Sequence, residues 1–133
     1  MIVRSLQESE RTERHIVGEG WESTRLLLRE DGMGFSFSVT TLNAGRESPP
    51  RGYQHHFEAV FVLEGEGEVE CLDDGKVYPI SAGTFYALDK HDKFVIRSKT
   101  QIRAICIFNP ALCGKELHDE NGSYPLEAEA IRV

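Results

Sequence analysis

Residues 57–80 read Phe57-Glu-Ala-Val-Phe-Val-Leu-Glu-Gly65-Glu-Gly67-Glu-Val-Glu-Cys-Leu-Asp-Asp-Gly75-Lys-Val-Tyr-Pro-Ile80. The run Phe57 to Leu63 is short, apolar and rich in β-branched and aromatic residues. It stops at Glu64-Gly65-Glu66-Gly67. Glu68 to Leu72 then alternates, and Asp73-Asp74-Gly75 is a tight-turn signal leading into Lys76 to Ile80. Short runs bounded by Gly and Asp are strands.

The pattern continues in both directions. Upstream, Phe35 to Thr41 alternates, with Phe35, Phe37, Val39 and Thr41 on one face and Ser36, Ser38 and Thr40 on the other. Downstream, Pro79 and Gly83 introduce a strand from Thr84 to Leu88. Asp89 to Asp92 is a polar turn before Phe94 to Arg97, and Gln101 to Phe108 is closed by Asn109-Pro110. Leu6 to Arg14 is expected to form a short helix, and the tail after Pro110 to be mostly loop. The class is all-β, and periodicity alone does not separate a barrel from a sandwich.

A chain of 133 residues fits one domain. Its net charge of −7, from 22 acidic and 15 basic side chains, opposes nucleic acid and an anionic membrane surface as partners. No apolar run reaches bilayer length. Cys71, Cys106 and Cys113 form no C-x-x-C pair, which suits reduced thiols. With no apolar signal core near Met1, the expectation is a cytoplasmic protein.

Glu58 to Val69 looks like the second half of the first cupin motif, and Pro79 to Asp92 like the second. A more specific likeness covers most of the chain. Met1-Ile-Val-Arg, Trp21 with Ser23 and Arg25, Met33-Gly-Phe-Ser-Phe37, Glu64-Gly-Glu-Gly67, Tyr86-Ala-Leu-Asp-Lys-His-Asp92, and the tail from Phe108-Asn-Pro to Tyr124-Pro125 resemble ectoine synthases. The resemblance implies a cupin-type double-stranded β-helix (jelly-roll) barrel, with a short helical N-terminal segment and a loop-rich C-terminal one. Residues 1–30 would pack on the barrel, 31–109 form its core, and 110–133 be a lid or tail. It also implies a homodimeric lyase that closes N4-acetyl-L-2,4-diaminobutyrate, a small zwitterion, into ectoine with loss of water. The alternatives are a binder of such a zwitterion without turnover, or a cyclase for a related amino acid.

The same resemblance implies the site. Glu58 and Tyr86 match carboxylate and phenol ligands of an iron ion. The family's histidine ligand, eight residues after the tyrosine, is replaced by Phe94, which has no lone pair to donate. His56, two residues before Glu58, is the substitute candidate if the strand begins early enough. His55 would point the other way, and His91 lies in a turn.

Glu116 and His118 match catalytic tail positions, His118 as a proton donor, and Tyr53 joins them in the pocket. Trp21, Thr40, Cys106 and Phe108 match substrate-binding positions. Arg25 is assigned to the substrate carboxylate on chemical grounds. The segment Arg46 to Tyr53 departs from the family's pattern.

Overall fold

A computed structural model describes residues 1–131. Among them a single turn of α-helix, Leu6–Ser9, precedes ten strands. These are β1 (His15–Gly18), β2 (Trp21–Leu27), β3 (Ser36–Leu42), β4 (Arg46–Glu47), β5 (Phe57–Glu64), β6 (Glu66–Cys71), β7 (Val77–Ser81), β8 (Phe85–Leu88), β9 (Phe94–Ser98) and β10 (Ile102–Asn109). Six strands form one antiparallel sheet in the order β1-β2-β3-β10-β5-β8, and four form another in the order β4-β9-β6-β7.

The chain passes between the sheets at Gly65. β5 ends at Glu64 in the larger sheet and β6 begins at Glu66 in the smaller one. Gly65 has φ +95°, and a Cβ there would stand 2.1 Å from the Gln101 carbonyl oxygen. Only glycine permits both the dihedral and the close approach. The second glycine of the motif meets the same constraint, since a Cβ on Gly67 would lie 2.1 Å from the Arg97 oxygen. Gly-x-Gly is therefore the corner that converts an extended hairpin into a two-sheet barrel.

The helix expected over Leu6 to Arg14 is only one turn. Ser5 caps it by accepting from the Glu8 amide, but the following Glu10-Arg-Thr-Glu-Arg14 has no apolar stripe to hold a second turn against the sheet. Thr12 instead donates its hydroxyl to the Ser9 carbonyl. The next segment carries an unforeseen hairpin, β1–β2, joined by Glu19-Gly20, with Gly18 opposite Trp21. Gly20 adopts φ +79°, as a two-residue hairpin turn requires.

The two faces of β3 carry an inverted pattern. Ser36 and Ser38 are buried at 0% and 2% exposure, whereas Phe37 and Val39 stay partly exposed. The small polar face looks into the barrel, and the aromatic and branched face looks out.

Candidate active site

Strand register places the inward side chains in rows across the six-stranded sheet. One row runs Arg25, Ser38, Cys106, Val60, Tyr86 across β2, β3, β10, β5 and β8. The row on one side is Ser36, Phe108, Glu58, Leu88; the row on the other is Ser23, Thr40, Ala104, Val62. Side chains repeat every second residue, so Glu58 stands diagonally next to both Cys106 and Tyr86. These rows face a cavity of about 160 Å³, walled also by Trp21, Arg51, Tyr53, Phe94, His118 and Tyr124.

The acidic side of this cavity is deeply buried. Burial pushes the Glu58 carboxyl up to about 8, against the opposing effects of a Cys106 hydrogen bond and the Arg51 charge. Burial likewise raises the Tyr86 phenol and the Cys106 thiol, and the neighbouring Glu58 carboxyl pushes each in the same direction. Thr40 also hydrogen-bonds to Cys106 and donates to Ser23 Oγ at 3.0 Å.

His118 is the centre of the other side. Its Nε2 lies 2.9 Å from the Tyr53 hydroxyl, its ring stacks on Tyr124 at 4.5 Å, and Trp21 meets it edge-on at 5.4 Å. Arg51 Nη1 lies within 3.0 Å of both ring nitrogens. A guanidinium can only donate, so the imidazole must offer a lone pair. Burial, then the charges of Arg51 and Arg25, lower His118 to about 3. Its resting form is neutral, so in the proton-donating role that the resemblance implies it must accept a proton before it can give one.

Trp21 is held in place by a close approach. A Cβ on Gly18 would stand 2.1 Å from the indole, so glycine leaves the room the ring occupies. Tyr53 packs edge-on against Phe108 at 5.0 Å. His91, at φ +54°, donates from Nδ1 to the Tyr53 carbonyl at 2.7 Å and pins the segment that presents the phenol.

Three expected site residues sit elsewhere or act otherwise. Glu116 is 1% exposed and does not line the cavity. Its carboxylate accepts from the Cys113 and Gly114 amides and lies 3.6 Å from Arg25 Nη1. Arg25 lines the cavity but donates to the Gly114 carbonyl at 2.6 Å and the Glu116 carbonyl at 2.9 Å, over the Tyr124 ring. Both Nη groups hold the tail down, leaving no free fork for a substrate carboxylate.

His56 precedes β5 and is buried against Phe108, outside the cavity wall. His56 is buried as Glu58 is, with exposed Phe57 between them, but it lies before the paired strand and does not reach the cavity. Arg51 and Tyr124 were not singled out from the sequence. Arg51 lay in the segment that departs from the family's pattern, and Tyr124 in a tail expected to be loop, where periodicity gives no direction to a side chain.

Tested against a divalent metal, the donor set is two oxygens, Glu58 and Tyr86, with the Cys106 thiol beside them. Phe94, 2% exposed, lines the same cavity and has no donor atom to offer. A buried carboxyl with no basic group in ion-pair contact suits a cation there. Among the described residues, one cluster of three acidic or thiol groups, Cys71, Asp73 and Asp92, lies outside the cavity.

Comparison with known proteins agrees with this geometry. The ectoine synthase family model matches residues 1–128. The chain is 56% identical over 131 residues to L-ectoine synthase of Saccharophagus degradans, covering 98% of each. It is 53% identical to that of Hahella chejuensis, again covering 98% of each. The crystal structure of ectoine synthase from P. lautus superposes with a TM-score of 0.85 at 48% identity, covering 98% of this chain and 94% of that one. An RmlC-like cupin from Shewanella frigidimarina, 23% identical with a TM-score of 0.62 over 77% of this chain and 86% of its own, shares the barrel. The chain belongs to the ectoine synthase family.

Proposed function

We propose that this chain is a lyase that cyclises N4-acetyl-L-2,4-diaminobutyrate to ectoine with loss of water. The observation that carries the reading is the inward turn of Glu58, beside Tyr86 and Cys106, facing a neutral His118 across one small cavity. A folded substrate with opposite charges at one end fits a site with guanidinium and imidazole on one side and acidic groups on the other.

The substrate α-amine arrives protonated and is no nucleophile until it loses that proton. His118 has the lone pair to take it, once the ammonium replaces Arg51 Nη1 on the ring. The freed amine attacks the acetamido carbonyl carbon, forming the ring C–N bond. The carbonyl oxygen leaves as water, receiving the proton that His118 took and one from the attacking nitrogen. The product is a cyclic amidine, and the protons balance.

Tyr53, bonded to His118, holds the imidazole in register, and Trp21, Phe108 and Tyr124 exclude bulk water that would reverse the dehydration. Thr40 and Cys106 line the face on which the acetamido end would rest. Iron, the metal the family resemblance implies, would be held by Glu58 and Tyr86 and would polarise that carbonyl as a Lewis acid.

The described part of the expected tail, residues 110–131, acts as a lid clamped by Arg25 and Glu116, in a single domain whose N-terminal 30 residues pack on the barrel; residues 132–133 lie outside the described residues. The protein acts in the cytoplasm, in osmotic stress response, as a homodimer. No helix among the described residues is long and apolar enough to cross a membrane. A direct test incubates the purified chain with the acetylated diamine, with and without ferrous iron, and follows ectoine by chromatography. Ectoine is the expected product, and none under either condition overturns the reading. Metal analysis of the same protein tests the iron.

A further inference from the structure

Arg51 is a cation with no carboxylate of the described residues in ion-pair contact, although its charge reaches Glu58 across the cavity. Its backbone is fixed, since its amide donates to the Phe94 carbonyl at 2.9 Å and its carbonyl accepts from the Phe94 amide at 2.8 Å. Gly122 closes behind it, where a Cβ would lie 2.8 Å from the Arg51 Cα. The side chain enters the cavity, and its one hydrogen-bonding neighbour among the described residues is His118, through Nη1. Its Nε is buried with no hydrogen-bond partner. No carboxylate of the described residues lies within ion-pair distance of it.

The other two arginines of the cavity wall are differently employed. Arg25 holds the tail through both Nη groups, and Arg46 is half exposed with Glu19 3.8 Å away. A guanidinium with one edge engaged and the Nε–Nη2 edge unmet offers the fork that grips a carboxylate through two parallel bonds. A buried donor left unmet in the empty protein is a cost that a ligand can remove.

We propose that the Nε–Nη2 edge of Arg51 anchors the substrate carboxylate and so sets the specificity of the cavity for α-amino acids. This inference rests on the cyclase reading above. A carboxylate held on that edge draws Nη1 off the imidazole, and the α-amine, one carbon away, takes its place beside the ring. The anchor thus aims the attacking nitrogen at its base. It also supplies the negative charge that offsets Arg51's effect on His118, so the bound substrate makes its own base stronger.

Calorimetry on the purified chain tests this with two ligands: ectoine, which keeps the carboxylate, and its analogue lacking that group, 2-methyl-1,4,5,6-tetrahydropyrimidine. Wild type is expected to prefer ectoine by about 10- to 100-fold, the usual weight of a charged pair of hydrogen bonds. Arg51→Gln should lose that preference while binding the analogue as wild type does. Arg51→Lys, keeping the charge without the fork, should recover part of it. With the acetylated diamine as substrate, Arg51→Gln should raise KM more than it lowers kcat.

Equal weakening for both ligands would mean that Arg51 only supports the fold or His118, and would overturn the proposal. So would an unchanged preference in Arg51→Gln. If Arg51→Gln does not fold, Arg51→Lys decides: a preference equal to wild type in that variant overturns the bidentate anchor. A wild type that binds neither ligand and forms no ectoine overturns the cyclase reading itself, which is a different result from a wild type that cyclises without using Arg51.

Discussion

At the residue scale, His118 shows how environment outranks residue type. From sequence, a Glu-x-His pair in a loop is usually an exposed acid and base, and the family resemblance implies a proton donor near neutral pH. In the folded chain burial and two arginines hold it neutral, lowered from 6.5 to about 3. That displacement is also a stability statement. The unfolded chain binds a proton at His118 that the folded chain refuses, so its contribution is complete above about pH 6.5 and lost as pH falls toward 3. Over that window the group gives a slope of at most about 1.4 kcal/mol per pH unit. Urea unfolding of His118→Gln from pH 7 to 4 should show a shallower acid loss than wild type, and an identical profile would contradict the assignment.

Phe94 was legible as a departure from the family's ligand pattern. That Glu58 still turns inward beside it was not, because the direction of a side chain at a strand's first residues depends on where pairing begins.

At the scale of elements, the tail is tied to β2 by one buried pair. Arg25 on β2 and Glu116 in the tail are 1% exposed or less at their side chains, and each also bonds backbone groups of residues 113–116. Removing Glu116 leaves a buried guanidinium without its counter-charge and two amides without an acceptor. Such losses typically cost about 3–5 kcal/mol. Glu116→Ala should lower stability by that order in chemical unfolding. It should also loosen the tail enough for limited proteolysis after Pro110 at concentrations that spare wild type. The emission of Trp21, the single tryptophan, lies against His118 and should shift red as the tail lifts. A variant with wild-type stability and emission would show that the clamp is incidental.

The strand elements themselves were well marked by alternation and turns. The N-terminal hairpin was not, because Trp21 to Leu27 places Trp21, Ser23 and Arg25 together on the face that lines the cavity, which breaks the apolar alternation of a strand.

At the scale of the molecule, the outer face of the larger sheet is unusually apolar for a surface. Val39, Ile105, Phe61 and Phe85 form one continuous row across β3, β10, β5 and β8, and Phe37, Ile107, Ala59 and Ala87 form the next. Phe85 is 66% exposed and Phe61 38%. Contiguous apolar rows of this kind mark interaction surfaces, and the proposed homodimer would bury this one. Ile105→Glu, at the centre of the first row, should convert the dimer to a monomer in sedimentation analysis. A wild-type monomer would overturn the homodimer, and a variant that still dimerises would place the interface elsewhere.

The sequence by itself determined the strands from Phe35 onward, their turns and the sorting of each strand's side chains onto two faces, because these follow from local sterics and a two-residue period. It also carried the family likeness. Only the tertiary structure decided which face of each strand looks inward, that Arg25 and Glu116 hold each other instead of a ligand, and that Arg51 is left with an open edge. Those outcomes depend on which distant residues share a dry space, and the energy of a charge is set by that neighbourhood, not by its position in the chain.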